Sequence, residues 1–179
     1  FADTTLPVMG KYHYNVIAYA GGFQSDSIST EEIIAGPAYQ APDTLLTDYG
    51  NFMLWNNIDA DGSTTTWTWQ TAGLYGQFGG ATDSYYYEEY APQNWLISPR
   101  IRMEKDKHYK ITFETKTGSD KVQELLAIGF GQGAEITNQD SIYQFALTEK
   151  EALTLRVNLP VVENTGDYNF SFVHRTLYK

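Results

Sequence analysis

Short alternating segments separated by glycine run along most of this chain and constrain its fold more than any other feature. Ile111, Phe113 and Thr115 alternate with polar or charged residues, and in residues 168–172 aromatic side chains occupy every second position. A period of two puts these side chains on one face of a β-strand. Only residues 148–153 have a locally helical pattern, so the sequence predicts an all-β, antiparallel, jelly-roll-like β-sandwich of two sheets. The predicted strands of its main part are 50–58, 65–70, 73–79, 84–90, 94–98, 107–117, 122–131, 141–147, 152–159 and 166–174.

Residues 1–36 have a separate pattern. Tyr12, Tyr14 and Val16 alternate with polar residues, a Gly-Gly pair follows at 21–22, and residues 25–34 offer a second strand. This arrangement resembles the last two strands of a fibronectin type III domain, which is an immunoglobulin-like sandwich. In such sandwich folds a tyrosine lies near the start of one strand. An ordinary amphipathic hairpin is the alternative. The Pro- and Gly-containing residues 37–44 are predicted to be a linker to a second domain at 45–179.

Two stretches in the second domain carry a further resemblance. Residues 56–62 form an acidic segment that ends at Gly62 and is followed by Trp67 and Trp69, and residues 94–99 read Asn-Trp-Leu-Ile-Ser-Pro. This order resembles the cleaved-adhesin, or choice-of-anchor, type of β-sandwich found in gingipain adhesin regions. The resemblance implies a non-catalytic extracellular module. The family's closing strand, which begins with paired Asp residues, is not found before Lys179, so the sandwich is expected to lack its final strand.

Composition excludes several kinds of partner and chemistry. The net charge of −10 argues against a nucleic acid partner, because binding to phosphates depends on Lys and Arg. The chain has no Cys, and no run approaches the roughly 18 apolar residues needed to cross a bilayer, so no membrane insertion is expected. Because the sequence starts at Phe1 without an export signal, we expect an extracellular or surface protein whose signal peptide is already removed.

Asn57, Asp59 and Asp61 are the predicted metal ligands. Ca²⁺ takes six to eight oxygen ligands, and carboxylates two residues apart in a Gly-containing turn supply several of them. An EF-hand is rejected because Thr68 stands where the bidentate Glu belongs. The family resemblance implies a structural Ca²⁺ near this turn, completed by distant strands; an ordinary Asx turn without metal is the alternative.

Trp67, Trp69, Tyr86 and Tyr90 are the predicted ligand-binding residues. Flat aromatic faces can stack on sugar rings, and the ligand is expected to be a carbohydrate or a host protein. Alternation on a strand lets at most half of such side chains face solvent, so packing in the core is the competing interpretation. Trp95 and Ile97 are predicted to be core residues.

Catalysis has little support in the sequence. The three histidines lie on separate segments without metal-ligand spacing, and a G-x-S-x-G elbow is absent. The favoured function is a non-catalytic adhesion or binding module. A structural spacer or assembly subunit and an accessory domain of a secreted hydrolase remain as alternatives. The terminal strands, 12–19, 25–34 and 168–174, are expected to have open edges that other chains complete or that pack on the main sandwich.

Overall fold

The structure is a computed structural model in which residues 5–62, 66–70, 73–76, 93–116, 124–148 and 151–176 are described. The chain divides into two compact units, residues 1–38 and 39–179. The all-β fold with a sandwich-like arrangement of sheets is confirmed. The fibronectin type III assignment of residues 1–36 stays a prediction. Tyr39–Gln40, inside the predicted linker, form a strand that pairs with residues of the second unit.

The first unit, which we call the hairpin unit, is one antiparallel hairpin interrupted at two places. Its strands are β1 Gly10–Tyr12, β2 Asn15–Val16, β3 Tyr19–Ala20, β4 Phe23–Gln24, β5 Ile28–Ser29 and β6 Ile33–Ala35. They pair as β1 with β6, β2 with β5 and β3 with β4. Gly21 and Gly22, at φ 57° and 84°, make the predicted turn, because a two-residue hairpin turn of this kind needs left-handed backbone at both positions.

Few apolar contacts hold the hairpin unit together. Val16 and Ile28 are cross-strand partners and are 60% and 73% exposed, and Phe23 is 82% exposed. None of the residues described between 5 and 38 is buried. Polar contacts are made instead: Lys11 forms an ion pair of 2.7 Å with Glu32, and Ser29 Oγ donates to Asn15 Oδ1.

The second unit, the sandwich unit, contains the remaining elements. They are β7 Tyr39–Gln40, α1 Tyr49–Phe52, β8 Asn56–Asp59, β9 Trp67–Gln70, β10 Gly73–Gly76, β11 Asn94–Ile97, β12 Ile101–Met103, β13 Lys110–Thr115, β14 Glu124–Gly131, a 3-10 helix Ile136–Asn138, β15 Asp140–Leu147, β16 Leu153–Asn158 and β17 Gly166–Thr176. Among the described residues no helix is long and apolar enough to cross a membrane.

Seven of the described strands form the main sheet. Its order is β15-β14-β17-β11-β8, and β12 joins β17 to β7. Strand β17 therefore has β14 on one side and β11 and β12 on the other. Residues 168–174 therefore pack within the main sandwich, which is one of the two outcomes expected for them.

The main core lies between the inner face of the main sheet and the antiparallel pair β13–β16. Leu96, Leu126, Ile128, Phe170 and Phe172 point inward from the main sheet and are at most 9% exposed. Ile111, Phe113, Leu155 and Val157 pack against them from β13 and β16. Burying each such side chain stabilises the fold by about 1.5–3 kcal/mol.

A smaller cluster lies on the outer face of the main sheet. Trp95, Ile97, Ala127 and Val173 are buried there, with Ile58 and Ile136 packed on them. Ile136 belongs to residues 132–139, which cross this face between β14 and β15 and which we call the strap. The prediction that Trp95 and Ile97 are core residues agrees with this cluster.

The structure differs from the prediction at a helix and at a short strand. Residues 50–52 of the predicted strand 50–58 belong to helix α1, because Asp48 Oδ1 accepts the N–H of Asn51 and caps the first turn. The short strand β12 was not predicted, because residues 101–103 lie between Pro99 and a charged turn. The predicted strand 84–90 lies outside the described residues.

Candidate functional site

The acidic turn after β8 is an Asx turn closed by its own carboxylates. Asp59 Oδ1 accepts the backbone N–H groups of Asp61 at 3.2 Å and Gly62 at 2.8 Å. Asp61 Oδ2 accepts the N–H of Gln93 at 2.7 Å. Gly62 has φ 71°, which glycine adopts without strain. The turn therefore holds two carboxylates next to the start of β11.

Asn57, the third predicted metal ligand, binds main-chain groups of β9. Its Nδ2 donates to the Trp67 carbonyl at 2.7 Å, and its Oδ1 accepts the Trp67 N–H at 3.2 Å. This pair of bonds replaces a strand pairing at the outer edge of β8. The Asn57 amide therefore binds the main chain of Trp67, whereas the carboxylates of Asp59 and Asp61 lie in the turn.

The fit of the turn to Ca²⁺ rests on Asp59 and Asp61 alone. Within the described ranges, no three His, Cys, Asp or Glu side chains come together in a group able to hold a metal ion. A complete shell would need further carbonyl, hydroxyl or water oxygens, which suit Ca²⁺. The two carboxylates are compatible with such a site, and calcium stays a prediction.

Trp67 is a core residue. It is 9% exposed, and its indole Nε1 donates to the Asn94 carbonyl at 2.9 Å. Its ring packs edge-on against His174, with ring centroids 5.9 Å apart. With so little exposed surface, its ring is not placed to stack on a ligand at the surface.

Trp69, two residues later, is partly buried and belongs to a short row of aromatic rings. Its centroid lies 6.4 Å from that of Phe52, which lies 6.2 Å from that of Tyr49. Phe52 is 9% exposed, whereas Tyr49 is 58% exposed. The row, which we call the aromatic corner, runs from the core edge to solvent. Trp69 also lines a cavity of about 1070 Å³ next to the main core.

Polar groups flank the aromatic corner at the start of α1. Asp48 Oδ1 accepts the Asn51 N–H at 2.9 Å, and Thr47 Oγ1 donates to Asn51 Oδ1. The surroundings are acidic: the pKa of Tyr39 is raised by burial and then by the negative charges of Asp43 and Asp48. The corner thus combines an exposed ring with hydrogen-bond acceptors.

The structure separates the predicted ligand-binding residues. Trp67 is placed in the core and Trp69 in the aromatic corner, while Tyr86 and Tyr90 lie outside the described residues. Tyr49 was missed because the helix that starts with it was not predicted, and the residues after it were interpreted as a strand. The signal that could have found it is Asp48 followed three residues later by Asn51, since Asp is a favoured N-cap.

The family of the chain is shown by its sequence. The Cleaved Adhesin Domain model matches residues 49–152, more than half of the chain. The chain belongs to the cleaved adhesin family. Cleaved adhesin domains are adhesion-type, non-catalytic domains of gingipains. The predicted family is therefore confirmed, and so is the prediction that the chain is not an enzyme.

A solved structure supports the fold. The K1 cleaved adhesin domain of Lys-gingipain from Porphyromonas gingivalis W83 is similar with a TM-score of 0.52 and 17% sequence identity. The similarity covers 69% of this chain and 81% of that one. No curated protein has significant sequence similarity to the chain. Gingipain adhesin domains belong to secreted or surface proteins.

Proposed function

We propose that this chain is an extracellular adhesion module that binds carbohydrate through the aromatic corner. The observation that carries the proposal is Tyr49, whose ring is 58% exposed and rests on Phe52 next to Trp69. A tyrosine held in this way offers a flat apolar face together with a polar hydroxyl. Family membership supports adhesion as the type of function.

Sugar recognition also needs polar groups beside the stacking face. Asp48, whose Oδ1 is the N-cap of α1, immediately precedes Tyr49, and Thr47 and Asn51 are hydrogen-bonded to each other there. A carboxylate accepts hydrogen bonds only, so it suits the hydroxyl donors of a sugar. The acidic surroundings favour a neutral glycan over an acidic one. Tyr86 and Tyr90 remain candidate ligand-binding residues of the same module.

Glycan-array binding followed by calorimetry tests the proposal. Tyr49→Ala should weaken binding to the selected glycan at least tenfold, which corresponds to about 1.4 kcal/mol. Tyr49→Phe should retain most of the affinity, because it keeps the ring. Tyr143→Ala, which removes a 44% exposed tyrosine on β15, is the matched control and should bind normally.

Two other results would contradict the proposal, the first its site and the second its ligand. Equal affinities of wild type and Tyr49→Ala would place the ligand elsewhere. The absence of any glycan ligand, together with binding of a host protein or assembly with other chains, would favour the protein-ligand or structural-subunit alternative.

We also propose a structural Ca²⁺ at Asp59 and Asp61. The support is the Asx turn that holds both carboxylates in one turn beside Gln93.

A chelator should then lower the melting temperature of the wild type. Asp59→Asn combined with Asp61→Asn should abolish that shift, because the amide oxygens can still close the turn but supply no charge. Asp26→Asn in the hairpin unit is the control; an unchanged wild-type melting curve in chelator would contradict the site.

A further inference from the structure

Strand β13 has a paired edge and an open edge. On one side it pairs with β16 along its whole length. On the other side it pairs with no strand of the described ranges. An unpaired strand edge presents a row of main-chain donors and acceptors to which another strand can bind.

The main-chain groups at the open edge belong to every second residue of β13. The Leu159 N–H donates to the Tyr109 carbonyl at 2.9 Å, so residue 109 is a hydrogen-bonded position of the ladder with β16. Such positions alternate along an antiparallel pair. The N–H and C=O groups of Lys110, Thr112 and Glu114 therefore face the open edge, where no described strand bonds to them.

The cavity of about 1070 Å³ beside the main core runs along this open edge. Residues 109–116 line it without interruption, so the edge of β13 borders it over the full length of the strand. Residues 39–46 form a second wall, also without interruption. Of the described residues near β16, only Ala152 and Leu159, just beyond its two ends, line the cavity. The cavity therefore follows β13 and not β16.

The inner side of the cavity is apolar. Leu126, Phe170 and Phe172 of the main sheet line it. Ile111 and Phe113 line it from β13 and are only partly buried, although they pack against the main core. Further apolar side chains entering the cavity would cover these surfaces and remove them from water.

The outward face of β13 carries positive charge at both ends. Lys110, Thr112, Glu114 and Lys116 are exposed, whereas the residues between them are partly buried. A carboxylate directly opposite each lysine on a neighbouring strand would form a favourable cross-strand pair. A segment that pairs with this edge should therefore have acidic residues at both ends.

We propose that the open edge of β13 binds an extended segment of another polypeptide chain. Apolar residues at alternate positions of the segment enter the cavity, and its terminal carboxylates lie opposite Lys110 and Lys116. The segment adds a strand to the β13–β16 pair, and its main chain supplies the donors and acceptors that Lys110, Thr112 and Glu114 require. An acyl chain or another apolar small molecule would offer these groups no hydrogen bonds.

Amide hydrogen exchange of the full chain with a synthetic peptide tests the proposal. The probe is a heptapeptide with blocked ends, Asp-Val-Thr-Val-Thr-Val-Asp, which has the predicted pattern in either strand direction. Without peptide, the amides of Lys110, Thr112 and Glu114 should exchange faster than those of the residues between them. Saturating peptide should slow these three amides at least about tenfold.

A proline at the open edge provides a variant that should fold but not bind. Thr112→Pro removes an N–H that faces away from β16, a position at which strands tolerate proline. It should lower the affinity for the heptapeptide at least tenfold in calorimetry. Thr154→Pro is the matched control, because Thr154 pairs with Glu114 and its N–H faces away from β13. It should bind the peptide normally.

Several results would overturn the proposal, and the exchange results need no variant. Equal protection of all the β13 amides in the chain alone would show that this edge is already paired within the chain. Unchanged exchange at Lys110, Thr112 and Glu114 in saturating peptide, or normal binding by folded Thr112→Pro, would also contradict it. Binding of lauric acid without protection of these amides would assign the cavity to an apolar small molecule. Protection that rises with protein concentration in the absence of peptide would identify a second copy of the chain as the occupant.

Discussion

The hairpin unit and the sandwich unit share the same alternating strand pattern but differ in what the apolar positions contact. In the sandwich unit, Leu96 and Ile128 are completely buried between two sheets. In the hairpin unit, Val16, Phe23 and Ile28 are all at least 60% exposed. Alternation creates an apolar face, but only a second layer converts that face into a core. The stability of this chain should therefore reside in the sandwich unit.

Truncating matched apolar side chains in the two units should give the largest contrast. Leu96→Ala should lower the free energy of unfolding by about 2–5 kcal/mol, because it leaves a cavity in a packed core. Val16→Ala should change it by no more than about 0.5 kcal/mol, as for most exposed positions. Urea unfolding followed by circular dichroism measures both. Comparable losses in the two variants would break the comparison.

A pair of asparagines sharpens the comparison for polar contacts. Asn57→Ala should cost about 1–3 kcal/mol, because it removes the partners of both main-chain groups of the buried Trp67. Asn15→Ala removes one exposed bond to Ser29 and should cost at most about 0.5 kcal/mol. The same unfolding experiment applies. If Asn15→Ala lowered the free energy of unfolding as much as Asn57→Ala does, the hairpin unit would be better shielded from solvent than its exposed side chains indicate.

The smallest expected effect is a pH dependence in the hairpin unit. The hydrogen bond and charge of Lys11 hold the pKa of Glu32 below its ordinary value, and His13 adds to this. The ion pair of Glu32 with Lys11 stabilises the folded hairpin unit at pH values above the ordinary glutamate pKa of roughly 4. This stabilisation is lost as the pH falls through the lowered pKa of Glu32 in the folded state. A titration by nuclear magnetic resonance should give a depressed Glu32 midpoint that Lys11→Gln raises. An equal midpoint in both proteins would mean that the ion pair does not form in solution.

The sequence predicted the strands well because alternation is a local property. Residues 110–115 and 166–176 were found in this way, and the aromatic and apolar residues at 95, 97, 170 and 172 are in the core. Strand neighbours depend on contacts between distant residues, which no local pattern contains. The central position of β17 was therefore missed.

The candidate site was predicted less completely for a related reason. Trp67 and Trp69 are equivalent in the sequence, yet one binds the Asn94 carbonyl in the core and the other reaches the aromatic corner. Both side chains lie on the same face of β9, so their position along the strand decides this difference. Tyr49 belongs to the site because Asp48 caps helix α1, which starts at Tyr49 just before the predicted strand 50–58.

Amide hydrogen exchange on the full chain tests most directly whether stability resides in the sandwich unit. An isolated two-stranded hairpin is marginal in water, whereas central strands of a core open only by global unfolding. The amides of residues 126–128 in β14 should exchange at least about a thousandfold more slowly than those of Val16 and Ile28, a difference of about 4 kcal/mol. Equal protection of the two sets would contradict the account and would show that another chain or the sandwich unit completes the hairpin.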